Sequence, residues 1–196
     1  DDTVLTIPEQ LTLNSLVSNY NGFNVSCLGR SDGWLMVIPQ TGTAPYSYSW
    51  SGPGGFTATA TDSIYNLSEG IYTVTVTDAH LCTLTESITL VSPGQISMSL
   101  NIWPSAGGNY NINCNGGATG RVDITPVNAA GTSSYLWSDG LPGSSRIDLL
   151  AGLHEVIITD ANGCSADTTL TLTQPDSLVI SFSMISPYCP ESDDGS

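Results

Sequence analysis

Gly70-Ile71-Tyr72-Thr73-Val74-Thr75-Val76-Thr77-Asp78 decides the fold. Aromatic and β-branched residues alternate with hydroxyls at a period of two, the mark of a strand with one buried and one solvated face in an antiparallel sandwich. A counterpart runs from Gly152 through Val156-Ile157-Ile158-Thr159-Asp160. Outward from these two stretches the agreement continues. Cys82 and Cys164 each lie 12 residues after the leading Gly, and Pro93 and Pro175 lie 11 residues further on. Upstream, Gly33 and Gly120 stand 6 residues, and Trp50 and Trp137 23 residues, after Cys27 and Cys114. Cys27 and Cys114 are 87 residues apart, far above solenoid periods and close to one sandwich domain per copy. Cys189 to Gly195 repeats the opening of a third copy, and Ile7-Pro8-Glu9-Gln10-Leu11 has the form of Ser92-Pro93-Gly94-Gln95-Ile96 and of Gln174-Pro175-Asp176-Ser177-Leu178. The expected organisation is therefore the tail of a preceding repeat with its linker (1–19), a first repeat (20–98), a second (99–182) and the start of a third (183–196). The fold class is all-β: tandem immunoglobulin-like antiparallel sandwiches forming a rod.

The chain of 196 residues carries 18 acidic residues, three arginines and no lysine, for a net charge of −15. Nucleic acid and anionic membranes both require a cationic surface, so neither is an expected partner. The acid is dispersed, and a hydrophobic content of 40% is that of a folded protein. No stretch of 18 apolar residues and no signal peptide is present, so direct membrane insertion is not expected and targeting signals are assigned to the parent protein.

Period-two runs place strands in the first copy at 24–26, 34–39, 46–50, 56–60 bending into 64–67, 71–77 and 83–90. In the second they fall at 111–113, 121–126, 134–137, 146–150, 154–160 and 166–173. Turn residues separate them, among them Gly52-Pro53-Gly54-Gly55, Asp139-Gly140 and Asn162-Gly163. The five cysteines all occupy repeat positions, with no CxxC string or Cys/His cluster of the kind that holds zinc. Register implies the pairs Cys27–Cys82 and Cys114–Cys164, with the partner of Cys189 further along the parent. Four strands between paired cysteines would return the chain to the same end of the sandwich, where the bond would clip two end loops. Such bonds belong outside the cytoplasm. Trp50 and Trp137 are expected to fill the two cores.

The repeated string C-x5-G, Y-x-Y/L-x-W-S, L-x-x-G-x-Y-x-V-x-V-T-D-A-x-x-C, closing on Pro, resembles the SprB repeat. Tyr46-Ser47-Tyr48-Ser49-Trp50-Ser51, Asn66 to Ala79 and Thr159-Asp160-Ala161-Asn162-Gly163-Cys164 carry it most clearly. His154 stands where the pattern wants Tyr, and Leu149-Leu150-Ala151 replaces Asn66-Leu67-Ser68-Glu69. The resemblance implies an extracellular, cell-surface location, associated with the outer membrane through the parent protein. It also implies export by type IX secretion, and service in adhesion and gliding motility.

Candidate chemistry is sparse. Gly29-Arg30-Ser31-Asp32-Gly33 satisfies the G-x-S-x-G nucleophile string but leads into a strand instead of a helix, and its counterpart Gly116-Gly117-Ala118-Thr119-Gly120 lacks serine. A turn is expected there, and no enzyme. Asp78 and Asp160, each closing a strand in a lysine-free chain, are the calcium candidates, although no EF-hand string is present and an Asp at a strand end caps its own turn. Asp-Ser/Thr-apolar strings at Thr3, Ser63, Thr168 and Ser177 resemble a Bacteroidota O-glycosylation sequon. Trp103, Tyr20 and Tyr110 lie outside the repeated anchors, near the joints. They are the candidate contacts for polysaccharide or an abiotic surface, against the alternative that they pack the joints between neighbouring repeats. Two functions follow: a disulfide-clipped stalk or arm of a large surface adhesin, or a carbohydrate-binding module.

Overall fold

The computed structural model describes residues 10–184; Thr3 and Cys189 lie outside the described residues. The first repeat forms two facing antiparallel sheets. One contains β1 (Leu13–Val17), β2 (Gly33–Pro39) and β5 (Ser63–Leu67) in the order β1-β2-β5. The other contains β3 (Ser47–Ser51), β4 (Thr57–Thr59), β6 (Gly70–Thr77) and β7 (Thr83–Leu90) in the order β4-β3-β6-β7. The second repeat follows the same plan. Here β8 (Ser97–Trp103), β9 (Gly120–Val127) and β11 (Ser145–Leu149) are ordered β11-β9-β8, facing a sheet of β10 (Ser134–Trp137), β12 (Gly152–Thr159) and β13 (Ser165–Leu172), ordered β10-β12-β13. This is the all-β, immunoglobulin-like sandwich expected of the sequence.

Two readings of the sequence need correction. Residues 24–26 and 111–113 are not strands; they are bends held by backbone bonds from Asn24 and Val25 to the Val91 carbonyl, and from Asn111 and Ile112 to that of Thr173. The first strands are instead β1 and β8, which pair along their whole length with β2 and β9. The first sandwich therefore begins before residue 20 and the second before residue 99. No residue of β1 is fully buried: Leu13 and Ser15 are half-buried, and Asn14, Leu16 and Val17 are exposed, as befits an edge strand. That left its alternation too faint to separate from a linker.

Each core is closed by one tryptophan. Trp50 packs with Leu35, Val37, Ile64, Leu67, Tyr72 and Val74, drawn from both sheets. Trp137 does the same among Val122, Ile124, Leu149, Val156 and Leu172. Both indoles also meet the need of a buried N–H for a partner: Nε1 of Trp50 donates to the Thr61 carbonyl at 2.9 Å, and that of Trp137 to Gly143 at 2.8 Å. The C-x5-G spacing has a packing cause. A Cβ on Gly33 would sit 3.0 Å from the Leu67 carbonyl, and one on Gly120 only 2.6 Å from Leu172 Cδ1. His154 answers its place in the pattern: Tyr72 Oη donates to the Ser68 carbonyl at 3.0 Å, and His154 Nε2 reaches the equivalent Leu150 carbonyl at 2.9 Å. Both are versions of the corner that ties a strand start to the backbone upstream.

Arg146 is buried where the first repeat has the buried Ile64. Its guanidinium lies 5.7 Å from the Trp137 ring centroid and forms ion pairs with Asp148 at 2.8 Å and Asp139 at 2.9 Å. Since both carboxylates keep access to water, Arg146→Ile is expected to stay within about 1 kcal/mol of wild type. Arg146→Ala, which uncovers the indole, is expected to cost about 2 kcal/mol. Urea denaturation of the three proteins checks the pair.

Candidate functional site: the joint between the repeats

Strand count places the cysteines. Five strands, β2 to β6, separate Cys27 from Cys82, with β2 antiparallel to β5 and β3 antiparallel to both β4 and β6. An odd number of passes leaves the two cysteines at opposite ends of the sandwich. In the second repeat a return segment bridged through Leu136 and Pro142 takes the place of β4, so Cys114 and Cys164 are likewise at opposite ends. The expected pairs Cys27–Cys82 and Cys114–Cys164 are therefore not formed. Cys27 bonds Cys164 instead, with Cα atoms 5.6 Å apart, and the bond joins the first repeat to the second. The expectation failed on the connector after Trp50 and Trp137, which is a pass in its own right.

Two turns present these sulfurs. Ahead of Cys164, the Asp160 carboxylate accepts bonds from the amides of Asn162 and Cys164 on Oδ1 and from Ala130 on Oδ2, each at 2.9 Å. The Asp160 amide donates to the Cys164 carbonyl and that of Ala161 to Ala130. On the facing repeat, Asp32 accepts from the Ser26 amide at 3.0 Å and from the Ser26 hydroxyl, which closes the turn through Cys27. Gly29-Arg30-Ser31-Asp32-Gly33 is that turn, and Asp32 serves it as a structural acceptor.

The turns meet across the joint. Asn162 Nδ2 donates to the backbone carbonyls of Tyr20 at 3.2 Å and Ser26 at 3.1 Å, while Asn21 Nδ2 donates to Asn162 Oδ1 at 2.5 Å. Cys27, Cys164, Ile96 and Ile158 form a small buried cluster beneath them. The connecting segment 91–96 starts on the first repeat, where Val91 pairs with Asn24, and ends on the second, where Ile96 is buried beside Ile158 and Asn128 Nδ2 donates to the Gln95 carbonyl at 3.1 Å. Beside the disulfide lies a cleft of about 480 Å³ bordered by Leu28, Arg30, Gln95 and Gly163. Asn21 and Asn162 escaped sequence reasoning as partners: Asn162 reads as a turn residue, and the first repeat has His80 in its place.

The three unrepeated aromatics are not brought together. Tyr20 belongs to the joint and donates its hydroxyl to the Asp32 carbonyl at 2.9 Å. Trp103 ends β8, about 20 Å along the strand from Ser97 at the joint. The residue is 42% exposed, its Nε1 donates to Asp123 at 2.6 Å, and the Arg121 guanidinium lies 4.5 Å from the ring centroid. Tyr110 is exposed in the loop before Cys114. Of the sequon hydroxyls, Ser63 and Thr168 lie on strands and Ser177 is exposed.

Asp78 repeats the arrangement of Asp160, accepting from His80 and Cys82 on Oδ1 and from Thr43 on Oδ2. At both calcium candidates the carboxylate oxygens are thus engaged by amides, which an ion would have to displace. Burial works against the Asp78 charge, but the amides of Cys82, Thr43 and His80 outweigh it and hold the carboxyl below its ordinary range. A depressed folded-state pKa stabilises the fold above the unfolded value near 4, and that contribution is lost as pH falls through the lowered one. Asp78→Asn is therefore expected to melt lower at pH 7 and to lose less further stability than wild type between about pH 4 and 2. Thermal melts across that window check both parts.

The family model of the SprB repeat matches the chain at two places, residues 23–55 and 110–142. Both repeats of this chain match the SprB repeat. Each match begins just before a first cysteine and runs through the core tryptophan, so it covers the cysteine turn, β2 and β3 in one repeat and the equivalent β9 and β10 in the other. SprB repeats occur in cell-surface proteins. A search of curated proteins finds no match. Among solved structures, the chain is similar to a C-terminal 282-residue fragment of intimin, solved with the intimin-binding domain of the translocated intimin receptor. Identity is 6% and TM-score 0.42, over 84% of this chain and 64% of that one. It is also similar to an amphioxus IgVJ-C2 molecule, at 13% identity and TM-score 0.34, over 86% of this chain and all of that one. A two-domain fibronectin type III segment of chicken tenascin matches at 16% identity and TM-score 0.31, over 81% and 97%. Among the described residues no helix is long and apolar enough to cross a membrane.

Proposed function

We propose that this chain is a segment of the extended stalk or arm of a large cell-surface adhesin, in which disulfide-clipped SprB repeats supply reach and stiffness. The observation that carries the reading is the Cys27–Cys164 bond, supported by the Asn162 hydrogen bonds to Tyr20 and Ser26. A joint held by a covalent bond, an asparagine fastener and a short connector anchored by the buried Ile96 resists bending, as a stalk under load requires. The neighbouring repeat is the principal partner of each sandwich. The reading extends, through the family, to export by type IX secretion, anchorage at the outer membrane and use in adhesion and gliding motility. Nothing in it calls for a catalytic group or a cofactor.

The test is small-angle scattering of the chain before and after reduction. A rigid, elongated particle that loses its fixed length on reduction fits the proposal; a particle flexible at the joint in both states contradicts it. Trp103 favours the second reading, a carbohydrate-binding module, because a half-exposed indole beside Asp123 and Arg121 offers a sugar both stacking surface and hydrogen-bonding groups. A glycan array would decide between them: signal lost in Trp103→Ala selects the module, and no signal in either protein leaves the stalk.

A further inference from the structure

We propose that Cys82 and Cys114 are each one half of a further inter-repeat disulfide, Cys82 with the first cysteine of the repeat that precedes and Cys114 with the second cysteine of the repeat that follows. A single bond type would then staple every joint. The proposal rests on reading the chain as part of a tandem array.

Among the described residues Cys82 and Cys114 have no partner, whereas their equivalents Cys164 and Cys27 are bonded to each other. Odd strand parity places Cys82 at the outer end of the first repeat and Cys114 at the outer end of the second. The two sulfurs therefore face away from the joint that exists, toward the positions of the next joints in either direction.

Both ends already carry the matching half of the observed joint. At the Cys114 end, a cleft of about 440 Å³ is bordered by Cys114, Asn115, Ser177 and Leu178. These residues are the counterparts of Cys27, Leu28, Gln95 and Ile96, which border the cleft beside the Cys27–Cys164 bond. The difference lies in the other wall, which Gly163, Cys164 and Ser165 of the second repeat complete only at the observed joint. Leu178 is correspondingly 99% exposed where its equivalent Ile96 is 6% exposed.

At the Cys82 end the turn matches that of Cys164 bond for bond. The amides of residues two and four places after the aspartate donate to Oδ1, the amide of Thr43 or Ala130 donates to Oδ2, and the aspartate amide donates to the cysteine carbonyl. His80 stands in the place of Asn162 and can donate one ring N–H to a facing carbonyl, as Asn162 does to Tyr20 or Ser26. Leu81, in the place of Gly163, is held at φ +64° and is 81% exposed. An apolar side chain held left-handed in water is costly by itself. At the observed joint its position borders the cleft beside Leu28, and a preceding repeat would cover it there.

Each bond forms when two thiols lose two protons and two electrons to a disulfide oxidant, which leaves as its dithiol.

The test uses the natural-length protein taken from the cell surface, alkylated with iodoacetamide under denaturing conditions without reduction. Pepsin digestion follows, since a chain with no lysine and three arginines suits trypsin poorly and acid suppresses exchange. Cys82 and Cys114 are expected to escape the label and to appear in peptides linked, respectively, to a first-position and a second-position cysteine of adjacent repeats. In the 196-residue chain alone, both are expected to take the label. Label on either cysteine in the natural-length protein, or a bond within one repeat, overturns the proposal. The absence of a flanking repeat would be read from the peptide sequences before any linkage is scored; it removes the array reading and the proposed pairing together.

Discussion

Replacing Cys27 and Cys164 together by serine is expected to destabilise the chain by about 5 kcal/mol, the chain-entropy value for a closed loop of this size, here a sequence separation of 137 residues. Few other constraints span so much of the fold, because the bond encloses most of both sandwiches. Without it, the joint retains the Asn162 fastener, the Asn21 bond and the small Ile96–Ile158 cluster. Exposed hydrogen bonds of that kind contribute about 1 kcal/mol each. The loss should also show in cooperativity. With the bond intact the two repeats are expected to melt together; without it, each should melt on its own core. Scanning calorimetry reads both effects. The paired control is Cys82→Ser with Cys114→Ser, which should leave the melt nearly unchanged, since neither sulfur is bonded among the described residues. Intra-repeat bonds would make the two double variants equally damaging.

Trp137→Ala is expected to cost about 3–5 kcal/mol, the range for deleting a large aromatic from a core. Trp137 is 2% exposed, touches strands of both sheets and anchors the return segment through the Gly143 carbonyl. That segment is short and joins the sheets without a paired strand such as β4. With the disulfide intact, loss of the indole is therefore expected to weaken the shared transition of the two repeats through the second core. Trp50→Ala should be as costly, but there β4 stays paired to β3 through Ser49 to Ser51, so the connector has a second support. Urea titrations followed by the remaining tryptophans measure both. A loss below about 1 kcal/mol for either would mean the indole is not what holds its two sheets together.

The sequence made most of the strands readable because their period-two alternation records burial on one face. Residues 71–77 alternate without a break, and β6 occupies Gly70–Thr77. What remained hidden has three physical causes. The edge strand β1 has too little buried surface to leave a pattern. β4 is three residues long, and its equivalent in the second repeat reduces to one bridge, so counting strands from hydrophobic runs gave the wrong parity. The side-chain hydrogen bonds of the joint come from Asn21 and Asn162, neither of which recurs in the other copy, so alignment of the copies gives them no signal. The disulfide partners depended on that parity, which is why all four cysteine positions were legible and their pairing was not.

The central claim is that the disulfide runs between repeats, and a linkage map of the oxidised 196-residue chain tests it most directly. Peptic digestion without reduction, followed by mass spectrometry, should yield the peptide of Cys27 joined to that of Cys164, with Cys82 and Cys114 recovered as thiols. Peptides joining Cys27 to Cys82 and Cys114 to Cys164 would contradict it, and with it the stapled joint on which the stalk reading stands.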